Sequence, residues 1–370
     1  MNEKVVVRFE GLGLPEITLN KVAFTLFDAI EVRWYGIFIT LGIVFAFLYA
    51  YYRSKKNENV ILDDLLDVGI WTVILGVIGA RLYYVLTSLD RFPTFWSIFE
   101  IWNGGLGIYG GIIGGCIGIL LVCKMKKLSW RKLFDMIGPG VMIAQAIGRW
   151  GNFFNGEAYG YPIGETTQYF FFLKELQLPS GEGTFFNLFR MGLYPNQYST
   201  YFMVNVHPTF LYESLWNVLG FLLINAFYKR KKFDGQIALM YFVWYGFGRM
   251  FIEGLRSDSL YILKGVVSDS GLRISQCVGL FCFVVGLSLL IAFSYRFRAG
   301  RPISDIITEV DAPIRRRAAD GTITESPAES FVLYSASEAE NEEDDEEDED
   351  DDEETEETEE TEEKDDGNEN

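Results

Sequence analysis

The sequence predicts an all-α polytopic membrane protein: seven transmembrane helices, N-terminus outside and C-terminus cytoplasmic, with an extracytoplasmic loop and head region. Three observations predict it. Apolar stretches of spanning length recur seven times, basic residues gather in the linkers after alternate stretches, and nearly all the acidity lies in one terminal run.

Crossing a bilayer takes about 17 to 25 mostly apolar residues. Such stretches lie at roughly 35–52, 68–87, 107–123, 133–152, 209–228, 236–252 and 277–295. Basic clusters follow the first ("YRSKK"), third ("KMKKLSWRK"), fifth ("YKRKK") and seventh ("SYRFRAGR"). With seven spans all four fall on one face, which the positive-inside rule makes cytoplasmic. Nothing before residue 35 has the charged start, apolar centre and small-residue cleavage site of a signal peptide, so the first span doubles as an uncleaved anchor. The domain reading is then an extracytoplasmic segment 1–34 and a membrane domain 35–300, with its main outside region at about 153–208. A cytoplasmic linker 301–336 and a tail 337–370 follow. A second outside segment covers 253–273.

The net charge of -19 belongs to the tail. Residues 337–370 carry 24 Asp or Glu against Lys364 alone, whereas the first 336 residues hold 31 Lys plus Arg against 27 Asp plus Glu. With almost nothing apolar to bury, the tail cannot offset its ordering entropy and is predicted to be disordered. Cys116, Cys123, Cys277 and Cys282 all lie in apolar runs and form neither a disulfide framework nor a C-x-x-C pair. His207 is the only histidine, which argues against a multi-histidine metal site.

Glycine crowds the third and fourth spans. Gly107, Gly111 and Gly115, with Gly110, Gly114 and Gly118, give two small-x-x-x-small faces that let helix backbones approach closely in lipid. "GLGIYG" matches the letters of a dinucleotide fingerprint but lacks the strand and βαβ unit that the fingerprint needs. "IGGC" lies too deep in the third span for a lipoprotein processing site and reads as packing.

Charges at membrane depth carry the functional signal. Arg81 lies in the second span, Arg149 near the end of the fourth, Glu213 near the start of the fifth, and Arg249 and Glu253 at the end of the sixth. An Arg at a span's centre costs on the order of 3 kcal/mol, so such residues face a polar cavity, find a partner or snorkel to the interface. Pairing with Glu157, Glu213 and Glu253 is the plainer reading of each arginine alone. Taken together, Arg81, Arg149 and Arg249 lie towards the outer ends of the three spans that run outward. Arginine's planar fork suits phosphate, so a gathering of three predicts a phosphate site.

"GRWGNFFNGEAYG" at 148–160 resembles the signature segment of the prolipoprotein diacylglyceryl transferase family. "RWYG" at 33–36, "GARLYYVL" at 79–86, "GGLGIYGGIIGG" at 104–115, "HPTFLYE" at 207–213, "YGFGRMFIEGLR" at 245–256 and "RISQ" at 273–276 follow the family's order. The resemblance covers about residues 20–300. It implies transfer of the diacylglyceryl group of phosphatidylglycerol to the lipobox cysteine of prolipoprotein signal peptides, forming a thioether and releasing glycerol phosphate in a bacterial cytoplasmic (inner) membrane. The partners it implies are phosphatidylglycerol, the prolipoprotein and membrane lipid. No cofactor, metal or nucleic acid is expected. Arg149 and Arg249 match the family's essential arginines and Tyr35 its tyrosine at the start of the first span. With Tyr109 they make the expected catalytic set. Asn152, Asn155, Glu157, Gly160, Glu253 and Arg81 make the expected substrate-binding set.

This sequence departs from the family at Tyr109-Gly110-Gly111, where many members carry a histidine proposed as a base. A tyrosine ordinarily titrates near 10 and a thiol near 8.5, so a tyrosine is a poor base for a thiol. The reading preferred here has arginine charge activate the thiol while Tyr109 donates a hydrogen bond. His207 matches a different segment and does not replace the missing histidine. An anion transporter is the competing class for such a chain. Against it stand the absence of an internal repeat and an expected lack of buried charges in the cytoplasmic half.

Overall fold

The computed structural model describes residues 4–298, apart from 28–29, 59, 93, 102–103, 164–184, 194–202 and 263–271, together with two short strands beyond. The acidic tail 337–370 and most of the linker 301–336 lie outside the described residues, as does much of the outside region 161–206.

Long apolar runs must satisfy their own backbone in lipid, and they form helices. These are α1 (Trp34–Arg53), α2 (Leu62–Thr87), α3 (Ile108–Lys126), α4 (Trp130–Asn155), the single turn α5 (Phe185–Leu188), α6 (Thr209–Phe227), α7 (Gln236–Leu255) and α8 (Ile274–Arg298). Five of them, α1, α2, α3, α6 and α8, are long and apolar enough to cross a membrane. The chain is a polytopic helical membrane protein. The long helices α4 and α7 are less apolar; they carry Arg149 and Arg249 and pack against each other and against α6.

Small residues set the closest approaches. A side chain at Gly110 or Gly114 of α3 would run into the carbonyls of Gly79 and Leu75 on α2. One of the two glycine faces of α3 is thus consumed by packing, as the small-x-x-x-small pattern predicts. On α7 and α8, Gly246 and Gly279 face each other, and a Cβ on Gly246 would lie 2.5 Å from the Gly279 carbonyl.

The all-α expectation fails outside the bundle. Strands β1 (Lys4–Arg8), β2 (Ile17–Asn20), β5 (Met191–Leu193) and β6 (Val204–Val206) form one antiparallel sheet in the order β2-β1-β5-β6. Between them in sequence, β3 (Val22–Leu26) and β4 (Ile30–Arg33) form a hairpin that leads into α1. The sheet joins the N-terminus to a segment some 185 residues later, so no local pattern announces it. Val7, Leu193, Val206 and Phe210 bury themselves against Phe153 and Phe154 at the end of α4, seating the head on the helix that carries Arg149. Strands β7 (Tyr261–Ile262) and β8 (Leu272–Arg273) make a two-residue ladder before α8. The antiparallel pair β9 (Ile314–Arg317) and β10 (Ile323–Ser326) lies beyond it.

The expected lack of buried charges at the other end of the bundle is also corrected. There Lys231 bonds Glu58 and approaches Asp234 at 3.2 Å and Asp135 at 3.4 Å. Asp135 accepts from the backbone N–H groups of Gly235 and Ala238 at 2.8 Å each, which fastens the start of α7 to α4. Arg53 is tied to Tyr49, Asn57 and Asn225. The sequence reading missed this network because its members sit in or beside the basic linkers, where they look like solvated charge.

Candidate active site

Helix register brings the site together. Helices α6 and α7 are joined by a short connection and run antiparallel. Trp216 and Trp244 stack across them with ring centroids 4.2 Å apart, and each indole N–H donates to the other's backbone carbonyl, at 3.1 and 3.0 Å. One turn up α6 and just over one turn along α7, that register sets Glu213 opposite Arg249. Ser214 donates to the carbonyl of Ala146 at 3.0 Å, which fixes α6 on α4 and sets the same Glu213 opposite Arg149. Gln276 donates to the carbonyl of Met250 at 3.0 Å, so the first turn of α8 faces Arg249 as well.

Glu213 is therefore the bridge. One carboxylate oxygen takes Nε of Arg149 and the other takes Nη1 of Arg249. Nη2 of Arg249 lies 2.8 Å from Glu253 and donates to Ser275 Oγ at 3.4 Å, and Ser275 in turn meets the Tyr109 hydroxyl at 3.4 Å. Arg149 donates from Nη1 to Asn152 at 3.4 Å. Two cations and two carboxylates balance, so the cluster is a neutral network and not a set of free cations. What it leaves over is specific. Among the described residues nothing engages Nη2 of Arg149, and Nε of Arg249 is buried without a hydrogen-bond partner.

The signature segment 148–160 divides between this cluster and its scaffold. Gly156 takes a left-handed conformation (φ 63°) and ends α4. The N–H of Glu157 bonds the Asn152 carbonyl and that of Gly156 bonds the Phe153 carbonyl, both at 3.0 Å, which is a Schellman terminator. The Glu157 side chain is exposed. Asn155 has a buried carbonyl oxygen with no hydrogen-bond partner among the described residues. Gly151 admits Tyr35, whose ring would lie 3.0 Å from a Cβ there. Tyr35 itself is 38% exposed and makes no hydrogen bond among the described residues. Gly160 is wedged between His207 and Leu255, where a Cβ would come within 2.6 Å of His207.

Arg81 does not join the other two arginines. Its guanidinium donates to the backbone carbonyls of Ser97, Ile98, Glu100, Gly104 and Gly105 at 2.6–3.2 Å. All five of its N–H donors are thereby spent on the loop between α2 and α3. The sequence shows an arginine at the right depth but cannot show a loop folding over it.

His207 is buried and stays apart from the cluster, with Nδ1 3.4 Å from the Tyr212 hydroxyl. Burial pushes its pKa down to about 4, so it is neutral at physiological pH and a weak base. Glu213 and Ser275 are the two members of the cluster that the expected site set lacks. Glu213 was readable as an ion-pair partner, and antiparallel register would have turned that pairing into a bridge. Ser275 gave no chemical signal beyond its place in "RISQ".

Residues 21–292 match the family described as prolipoprotein diacylglyceryl transferase. A Finegoldia magna protein named phosphatidylglycerol–prolipoprotein diacylglyceryl transferase is 40% identical over 277 residues, covering 74% of this chain and 96% of its own length. A Staphylococcus aureus protein of the same name is 37% identical over 281 residues, covering 76% of this chain and 91% of its own. The chain belongs to the prolipoprotein diacylglyceryl transferase family.

Proposed function

We propose that this protein transfers the diacylglyceryl group of phosphatidylglycerol to the lipobox cysteine of prolipoproteins, in a bacterial cytoplasmic membrane. In the reaction the cysteine sulfur forms a bond to the glycerol carbon of the diacylglyceryl group. The bond from that carbon to the phosphate oxygen breaks, and glycerol phosphate leaves with the electron pair. The thiol proton passes to solvent or to the departing phosphate. The observation that carries the reading is the Arg149–Glu213–Arg249 bridge with the outer edge of Arg149 unspent. One carboxylate holds two guanidinium groups side by side, and the spare Nη2 of Arg149 can donate to a phosphate oxygen as charge develops on it. Stabilising that charge in a water-poor site is a large electrostatic contribution.

Asn152 orients Arg149 and Glu253 orients Arg249. In this reading Tyr35, Asn155 and Glu157, on or beside the last turns of α4, contribute to the lipid head-group site. Gly160 serves by letting the backbone pass between His207 and Leu255.

The orientation follows from charge. Lys124 and Lys126 at the end of α3, Lys229 to Lys232 between α6 and α7, and Arg296 and Arg298 at the end of α8 share one end of the bundle with Arg53. The positive-inside rule makes that end cytoplasmic. Helices α1 to α4 and α6 to α8 are then seven spans, with the N-terminus and the arginine cluster outside and the acidic tail inside. The catalytic domain is 35–300, followed by the linker 301–336 and a disordered tail 337–370.

Purified protein mixed with phosphatidylglycerol and a lipobox peptide should add the mass of a diacylglyceryl group to the peptide, and a Cys→Ser peptide should gain nothing. An adduct formed from a different phospholipid but not from phosphatidylglycerol would overturn the choice of donor.

A further inference from the structure

We infer that Ser275 is a positioning residue that aims the Tyr109 hydroxyl, as a hydrogen-bond donor, at the phosphate of the lipid; this rests on the transferase reading above. A guanidinium only donates, so in its contact with Arg249 the oxygen of Ser275 accepts. That leaves the single proton of Ser275 free to point at its other neighbour, the oxygen of Tyr109, 3.4 Å away. When Ser275 donates to Tyr109, the proton of Tyr109 must point elsewhere, out of the chain. The sequence of donors runs from Arg249 through Ser275 to Tyr109 and ends in an outward O–H. With a cation at its head, each bond polarises the next.

Such a chain suits an anion at its open end. It does not suit a base. With Ser275 as the donor, one lone pair of Tyr109 takes the proton of Ser275 and the proton of Tyr109 is left to face the site. Tyr109 therefore serves the departing phosphate rather than the thiol, and thiol activation falls to the arginine field.

Position supports the assignment. Ser275 lies in the first turn of α8, held against α7 by the Gln276 bond to Met250 and by the close pair Gly246 and Gly279. Tyr109 lies in the first turn of α3, which is packed on α2. The Tyr109–Ser275 contact is thus where the α2–α3 pair meets the α7–α8 pair beside the site. Glu253 shares Nη2 of Arg249 with Ser275 and keeps that guanidinium edge turned towards it.

The test is a double-mutant cycle on the full chain in phosphatidylglycerol vesicles. Ser275→Ala should lower kcat by about tenfold with KM little changed, the effect of losing one charge-assisted hydrogen bond. In the Tyr109→Phe background the same change should cost less than about twofold, since nothing is left to aim. Ser275→Thr, which keeps the hydroxyl, should restore most of the rate. An equal loss in both backgrounds would overturn the proposal and leave Ser275 with a role independent of Tyr109. A second readout needs no transfer activity. With Tyr109→3-fluorotyrosine, the 19F resonance should move on Ser275→Ala, and an unmoved resonance would overturn the contact itself. If the parent protein transfers no diacylglyceryl group, the transferase reading fails, and the 19F signal still decides the pairing of Ser275 with Tyr109.

Discussion

Two ion networks sit at opposite ends of α4 and α7, and they differ in what they leave unspent. Around Lys231 the side chains of Lys231, Glu58 and Asp135 are 8%, 2% and 0% exposed, and both oxygens of Asp135 are taken by backbone N–H groups. At the other end Arg149 and Arg249 are 23% and 12% exposed, and each keeps a nitrogen that no described residue engages. Burying charge is costly in either case, and pairing offsets the cost. The closed network uses its charges to fasten helices together. The open one is assembled from the same kinds of group, yet part of its hydrogen-bonding capacity is held ready for something else. Buried arginines alone therefore do not mark a site; what sets this pair apart is the carboxylate they share and the edge of Arg149 that no described residue engages.

The largest test of that contrast is at the open end. Arg149→Lys and Arg249→Lys keep the charge but lose the planar fork, and each should lower transfer by about a hundredfold or more, the scale of a lost oxyanion donor. The yield of folded protein should change little. Near-parent rates in both would make the open network structural like its counterpart. At the closed end the pattern should reverse. Lys231→Met leaves Glu58 and Asp135 buried without their cation, which should cost about 3–5 kcal/mol of stability, as for other broken buried pairs. Transfer per folded molecule should persist. A specific loss of activity in well-folded Lys231→Met protein would erase the distinction between the two ends.

Arg81 shows how far the sequence could be read. Its depth and charge are plain in "GARLYYVL", as are those of Arg149 and Arg249, and on that basis it belonged with them. The difference lies in the loop, whose five carbonyls converge on it and which no periodicity describes. The helices were legible because apolar runs of spanning length leave lipid-facing backbone little alternative. The head sheet was not, because β1 pairs with β5 some 185 residues later in the chain, beyond the reach of any local pattern. Within the site, the two arginines and Glu253 were legible from their charge at membrane depth, while the bridging by Glu213 depends on the Trp216–Trp244 register. Arg81→Lys retains charge but can make at most three of the five bonds. The loop 95–105 should then exchange its amide hydrogens faster, with a loss of about 1–3 kcal/mol of local stability and only a few-fold effect on transfer. A hundredfold loss of transfer with unchanged exchange would return Arg81 to the phosphate site.

The smallest effect expected is that of the acidic tail, and it separates the two ends by distance. Helix α8 begins at the site with Ser275 close by and runs 25 residues to Arg298, at the end that holds Lys231. At 1.5 Å per residue this is roughly 36 Å, so whatever follows α8 starts a full membrane thickness from Arg149. On the proposed orientation the tail lies across the membrane from Arg149, and its charge, screened within about 10 Å in salt water, does not reach the cluster. Every residue of the open cluster lies between Tyr109 and Ser275, and the family match ends at 292. Deleting Ser337–Asn370 should therefore leave the transfer rate in vesicles within about twofold of the parent, at low and at high salt alike. On the orientation proposed above, any consequence should appear at the closed end, whose Lys229, Arg230, Lys231 and Lys232 would share a face of the membrane with the tail. A salt-dependent change in thermal stability with an unchanged rate would fit that placement. A salt-dependent change in rate would mean that the tail and the arginine cluster share a face of the membrane, and the seven-span reading, which puts them on opposite faces, would be overturned.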